Sequence, residues 1–126
     1  VGFALNVHEG PQVLSYYAAV TEHTRLLEGM ILSNEPGLYH AGQYGIRIEN
    51  LVVNQLKPLA EHDYGEFLEF ETLTLCPIHL DPIDLSLLDD SEKKWLNQYH
   101  QMVFEKLSPS LKGDVLDWLT HHTRAI

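Results

Sequence analysis

The chain has 126 residues, 44% hydrophobic and 21% charged, a balance typical of one soluble globular domain rather than a disordered chain. Its formal net charge of −10 argues against a nucleic acid or an anionic membrane as partner, and no apolar run is long enough to span a bilayer. The single cysteine, Cys76, excludes an internal disulfide and favours a reducing, cytoplasmic compartment; we expect it to be a buried small residue in a strand.

Strand-like patterns separated by turn residues fill the first part of the chain. Residues 1–7 alternate weakly and predict a strand that leads into a loop at residues 8–11. Residues 31–38 predict a strand interrupted at Pro36–Gly37, and residues 46–56 give the clearest strand pattern. Residues 67–75, rich in aromatic and threonine residues, predict a further strand after a polar connection.

The last third predicts two helices. Asp89 and Glu92 have the spacing of a capping box, and the apolar residues behind them predict a helix over residues 90–107. Its apolar stripe includes Trp95, Tyr99, Met102 and Val103. Strands followed by helices predict an α+β fold.

The second helix has its own start signal. Ser108 is expected as the N-cap and Pro109 as the first helical residue. The apolar residues of this shorter helix are Leu111, Val115, Leu116 and Leu119.

Two glutamates, Glu35 and Glu49, lie in adjacent extended segments. Antiparallel pairing of residues 31–35 with 46–50 would bring them close together, and Arg47 shares a face with Glu49. Close carboxylates repel unless a proton or a metal neutralises them, and carboxylates suit hard divalent ions. Periodicity alone favours a surface ion pair between Arg47 and a glutamate, and leaves a metal site open.

Five motifs resemble one known family. The sequences NEPGLY at residues 34–39 and GIRIEN at 45–50 are similar to those of the dinuclear-metal "pita-bread" peptidases. Within that family, LNVHEGP at residues 5–11 resembles aminopeptidase P, the Xaa-Pro aminopeptidases. FETLTLCPI at residues 70–78 and WLNQYH at 95–100 resemble the C-terminal extension of the long form. The resemblance implies the C-terminal portion of a pita-bread domain, with antiparallel strands followed by two helices.

This resemblance also implies roles for four residues. The family site holds two divalent metal ions, commonly manganese, between two aspartates, one histidine and two glutamates. Glu35 matches the glutamate that binds one ion near the attacking water, and Glu49 matches the one that bridges both ions. His8 matches a non-ligand histidine that contacts substrate and stabilises the tetrahedral intermediate. Arg47 matches the arginine that supports the site, so His8, Glu35 and Arg47 are the implied catalytic residues.

The other three family ligands have no counterpart here. Val1-Gly2 resembles the end of the Gly-His-Gly-Val-Gly run that carries the ligand histidine, and the two aspartates lie further upstream in the family. We therefore expect a fragment that is inactive alone. Residues 1–80 would be the C-terminal part of the peptidase domain and residues 81–126 a helical extension. The remaining histidines are expected to be solvated or structural: His23, His40, His62, His79, His100, His121 and His122.

The implied parent is a cytoplasmic Xaa-Pro aminopeptidase, and a homo-oligomer. It would remove the N-terminal residue from peptides with proline in second position. One alternative is a prolidase-type dipeptidase, against which the loop at His8 and the tail argue. The other is a non-catalytic pita-bread module that binds peptides or proteins.

Overall fold

The computed structural model describes residues 1–58 and 64–126. Contacts divide the chain into two compact units, Val1–Thr74 and Leu75–Ile126. The strands lie in the first unit and the helices in the second, so the predicted α+β class is confirmed. The domain boundary proposed after residue 80 stays a prediction. Neither helix of the described residues is both long and apolar enough to cross a lipid bilayer.

Two antiparallel ladders form the first unit. In the larger, the central strand β4 (Asn50–Leu56) pairs with β1 (Ile31–Asn34) and β5 (Leu68–Thr72). In the smaller, β2 (Gly37–His40) pairs with β3 (Tyr44–Arg47). The interruption predicted within residues 31–38 is confirmed, one residue earlier than expected, because Glu35 and Pro36 lie outside both strands.

Both ladders follow one register. β1 pairs with β4 down to Asn34 opposite Asn50, and β2 pairs with β3 from Gly37 opposite Arg47. Two residues lie between these pairs on each side, residues 35–36 and 48–49, so the same register continues across the gap. The predicted partner of residues 31–35 was therefore misplaced, because β1 pairs with residues 50–53 rather than with 46–50.

The single strand predicted over residues 46–56 is wrong at residues 48–49, where the chain leaves both ladders. Pro36 provides the physical reason. The Ile48 amide donates to the Pro36 carbonyl at 3.2 Å, but proline has no N–H with which to return the bond. The ladder therefore breaks at this point without losing its alignment.

The strand predicted over residues 1–7 is also wrong. The Phe3 and Asn6 amides each donate to a carboxylate oxygen of Glu9 at 3.1 Å, and the Gly2 amide donates to the Val7 carbonyl at 2.8 Å. These local bonds fold the segment back on itself, because a side-chain acceptor competes with strand pairing. Cys76 is likewise not a buried strand residue, since it is exposed and β5 has ended at Thr72.

Two helices make up most of the second unit. α1 (Asp90–Leu107) begins with the predicted capping box: the Glu92 amide donates to Asp89 and the Asp89 amide donates to Glu92, both at 2.9 Å. The second helix starts later than predicted. Ser108–Ser110 form a short 3-10 helix, and α2 (Asp114–His122) begins only after Gly113.

The core of the second unit is formed by Tyr99, Val103 and Leu119. Tyr99 and Val103, which lie on the predicted apolar stripe, are buried. Trp95, on the same stripe, remains 53% exposed and stacks on Tyr99 with ring centroids 5.7 Å apart. Residues four apart on a helix are neighbours, so Trp95 shields the edge of the core rather than filling it.

Candidate functional site

The gap between the two ladders is where the two glutamates meet. Glu35 follows the last residue of β1, and Glu49 precedes the first residue of β4. In the shared register Glu35 is opposite Glu49, so both carboxylates lie at the same level of the sheet. The closeness expected from the sequence is therefore met, by a different pairing from the one predicted.

Arg47 lies between these carboxylates. Its Nε donates to Glu49 Oε2 at 3.0 Å and lies 3.9 Å from Glu35 Oε2. The pKa of Arg47 is raised, first by a hydrogen bond with the Tyr39 side chain and then by the charge of Glu49. A permanent cation thus relieves the repulsion between the glutamates.

His8 reaches the same site from the loop that precedes the strands. Its Nε2 lies 3.7 Å from Glu35 Oε1, while 70% of its side chain remains exposed. All four predicted site residues are therefore brought together: His8, Glu35, Arg47 and Glu49. An exposed imidazole beside a carboxylate can contact a substrate without leaving its position.

Sequence reasoning missed two neighbours of the site, Ser33 and Tyr39. The Ser33 hydroxyl donates to Glu35 Oε1 at 2.7 Å. Spacing of two residues along an extended segment was the available signal, because it places both side chains on one face. A cleft of about 330 Å³ lies alongside, and Ser33 and His8 are among its lining residues.

Tyr39 takes its place because two glycines leave room for its ring. A Cβ added to Gly37 would lie 2.6 Å from the Tyr39 hydroxyl oxygen, and one added to Gly45 would lie 2.7 Å from Tyr39 Cδ1. Gly45 is opposite Tyr39 in the β2–β3 pairing, and Gly37 is opposite Arg47. The ring therefore lies over the backbone of both glycines, and its hydroxyl group is close enough to raise the pKa of Arg47.

The donor chemistry at the gap fits a hard divalent ion. Glu35 and Glu49 supply carboxylate oxygens, the ligand type that Mg²⁺ and Mn²⁺ prefer. Two residues do not make a complete coordination shell. Within residues 1–58 and 64–126, no group of three or more His, Cys, Asp or Glu side chains is arranged to hold a metal.

Among the described residues, His100 and His79 contact groups outside this site. His100 is fully buried in α1, and its Nε2 accepts a hydrogen bond from the Ile78 amide at 3.0 Å. His79 contacts Asp81 at 3.2 Å on the surface of the second unit. His62 lies outside the described residues. The expectation of a structural histidine is thus confirmed for His100.

Two family models match nearly the whole chain. The model for metallopeptidase family M24 matches residues 1–55, and the model for the C-terminal region of peptidase M24 matches residues 66–126. The chain belongs to the metallopeptidase family M24, which confirms the family resemblance carried by the motifs at residues 5–11, 34–39 and 45–50.

Within this family, the chain is similar to proteins that are named as aminopeptidases P. The chain is 49% identical over 130 residues to a probable Xaa-Pro aminopeptidase P of Coprinopsis cinerea, with all of this chain and 21% of the relative aligned. It is 47% identical over 129 residues to Aminopeptidase P2 of Arabidopsis thaliana, with all of this chain and 18% of the relative aligned.

One solved structure has the same fold. The X-prolyl aminopeptidase of Caenorhabditis elegans, described as a cytosolic enzyme with a di-nuclear active site, superposes with a TM-score of 0.79 at 36% identity. That match covers 97% of this chain and 20% of the worm protein. The chain therefore spans about a fifth of the length of the proteins that it resembles.

Proposed function

We propose that this chain is the C-terminal part of a Xaa-Pro aminopeptidase, which removes the first residue from peptides with proline in second position. The observation that carries the proposal is the convergence of His8, Glu35, Arg47 and Glu49 on one gap between two aligned ladders. An ordinary surface ion pair needs no second carboxylate and no histidine beside it.

Glu35 and Glu49 are the residues of this chain that would hold metal. We infer a pair of divalent ions, and we take manganese as the ion because the resemblance to the pita-bread peptidases implies it; carboxylate donors accept Mn²⁺ as well as Mg²⁺. When bound, the ions supply positive charge that polarises the scissile carbonyl and lowers the pKa of a coordinated water. Arg47 holds Glu49 in place through its 3.0 Å hydrogen bond.

The remaining steps belong to Glu35 and His8. Glu35 would take a proton from the water that adds to the carbonyl carbon and would deliver it to the proline nitrogen as the C–N bond breaks. His8 would donate a hydrogen bond to the oxyanion that develops on the carbonyl. The 3.7 Å separation of His8 Nε2 from Glu35 Oε1 supports this division, because both groups then face one reacting bond. The exposed imidazole leaves its substrate side open.

Alone, the chain should be inactive, because Glu35 and Glu49 supply too few ligands for two ions. The exposure of large apolar side chains supports a role as part of a larger assembly. Phe3 and Tyr17 are almost completely exposed, and Leu5 is 88% exposed. Such surfaces are normally covered by further protein. We infer that the whole enzyme is cytoplasmic and a homo-oligomer.

A non-catalytic peptide-binding module is the second candidate. It is favoured only by the lack of a three-residue metal cluster among the described residues. The two candidates differ in one experiment. The full-length protein that carries this chain, loaded with manganese, should hydrolyse an Xaa-Pro-Pro peptide, and Glu49→Ala should abolish that activity. Peptide binding without hydrolysis by the manganese-loaded protein would favour the module.

A further inference from the structure

Ser33 bonds to Glu35 through a neutral hydroxyl. Its Oγ donates to Glu35 Oε1 at 2.7 Å, the short distance typical of a hydroxyl bound to an ionised carboxylate. Ser33 belongs to β1, where its main chain is fixed opposite Leu51. The donor is thus attached to a rigid strand, while Glu35 itself lies just beyond the strand end.

This bond makes the two oxygens of Glu35 different. Oε1 is occupied by Ser33 and lies on the side of His8, at 3.7 Å. Oε2 lies on the side of Arg47, at 3.9 Å from its Nε. Without the Ser33 bond the plane of the carboxylate could turn about its last torsion, and neither oxygen would keep a fixed direction.

We propose that Ser33 is a positioning residue that fixes the plane of the Glu35 carboxylate, so that Oε2 stays on the side of Arg47 and Oε1 stays on the side of His8. This inference rests on the proposed function, because it assigns Ser33 to the support of a metal-binding, proton-transferring glutamate. Groups that orient a metal ligand typically affect metal affinity or activity by about 10–100-fold. Ser33 requires no contact with substrate to have that effect.

The test uses the full-length protein with Ser33→Ala and Ser33→Thr, and Ser110→Ala as a matched control. Ser110 is exposed in the 3-10 helix of the second unit. Ser33→Ala should lower kcat about 10-fold or more and weaken manganese binding in calorimetry, with KM nearly unchanged. Ser33→Thr, which restores the hydroxyl, should recover most of both. Ser110→Ala should resemble the wild type.

Circular dichroism melting separates positioning from misfolding. If Ser33→Ala folds like the wild type and has the same kcat and manganese affinity, the inference is overturned while the proposed function stands. A folded Ser33→Thr variant as defective as Ser33→Ala would also overturn it, because the hydroxyl would then not be the active group. A wild-type protein that neither binds manganese nor hydrolyses the peptide would overturn the proposed function together with this inference.

Discussion

Glu35 is opposite Glu49 in a register that two separate ladders share, and Arg47 Nε lies within 3.9 Å of an oxygen of each carboxylate. Pro36 interrupts the hydrogen bonding at this level without shifting the alignment, because one bond from the Ile48 amide still crosses the gap. Strands therefore flank the glutamates on both sides, but Glu35 and Glu49 are not themselves paired within either ladder. That arrangement gives a site rigid supports and accessible ligands.

The isolated 126-residue chain should bind manganese weakly, at one site at most, and should not hydrolyse Xaa-Pro peptides. Two carboxylates already compensated by Arg47 offer too little to displace the water around a divalent ion. Titration calorimetry with the wild type and Glu35→Gln checks this: the weak signal should disappear in the variant. Two tight sites per chain would contradict it.

Gly45→Ala should affect the surroundings of Arg47 indirectly, through the ring of Tyr39. The added Cβ would lie 2.7 Å from Tyr39 Cδ1, so the ring must move, and its hydroxyl then leaves Arg47. We expect a loss of activity of the full-length enzyme of roughly 10-fold, as for other groups that support metal ligands. Tyr39→Phe, which removes only the hydroxyl, should give a similar loss. Full activity in both variants would show that Tyr39 does not support Arg47.

Acidification should destabilise the second unit through His100. Burial lowers the pKa of His100 below its ordinary value of 6.5, and the nearby Arg124 charge acts in the same direction. The bond from the Ile78 amide also requires a neutral Nε2. Below about pH 6.5 the His100 side chain is therefore protonated in the unfolded chain but stays neutral in the folded state. The His100 contribution to the stability of the fold is complete above about pH 6.5 and decreases as the pH falls toward the pKa of the folded state.

The check for His100 is a melting series at pH 7.5 and pH 5.5. His100→Gln keeps an acceptor for the Ile78 amide but does not titrate, so it should lose less stability on acidification than the wild type. His121→Gln, at an exposed position, should behave like the wild type. Equal losses in the wild type and His100→Gln would refute the assignment.

The first helix should affect stability rather than chemistry. Val103 is fully buried, so Val103→Ala should cost about 2 kcal/mol of unfolding free energy. Trp95 is half exposed, and loss of its stacking on Tyr99 should cost only about 1 kcal/mol. Chemical denaturation measures both values. KM and metal content of the full-length enzyme should change little, and a large loss of turnover in folded, metal-loaded Trp95→Ala would contradict a structural role.

Sequence patterns predicted elements that depend on local chemistry. The capping box at Asp89 and Glu92 needs only side chains three residues apart, and α1 begins where predicted. The strand predicted at residues 1–7 failed because Glu9 captures two amides, a contact that alternation of residues does not reveal. The break at residues 48–49 depends on Pro36, which lies between β1 and β2 and is distant along the chain, so the pattern of residues 46–56 alone could not indicate it.

Four residues of the candidate site could be predicted from the sequence, and two of their neighbours were missed. Motif resemblance selected His8, Glu35, Arg47 and Glu49, and these four side chains do converge. Their roles as ligands and catalytic groups remain predictions. Ser33 and Tyr39 were missed because neither belongs to a charged pattern, and their relevance follows only from contact with Glu35 and Arg47.

The central claim is that Glu49 holds metal while His8 acts on substrate. Metal analysis of the full-length protein, combined with turnover of an Xaa-Pro-Pro peptide, tests it most directly. Glu49→Ala should lose both bound manganese and activity, because a carboxylate ligand is removed. His8→Ala should retain manganese at the wild-type level and lose most of its turnover. An equal loss of manganese in both variants, or full metal content in Glu49→Ala, would contradict the account.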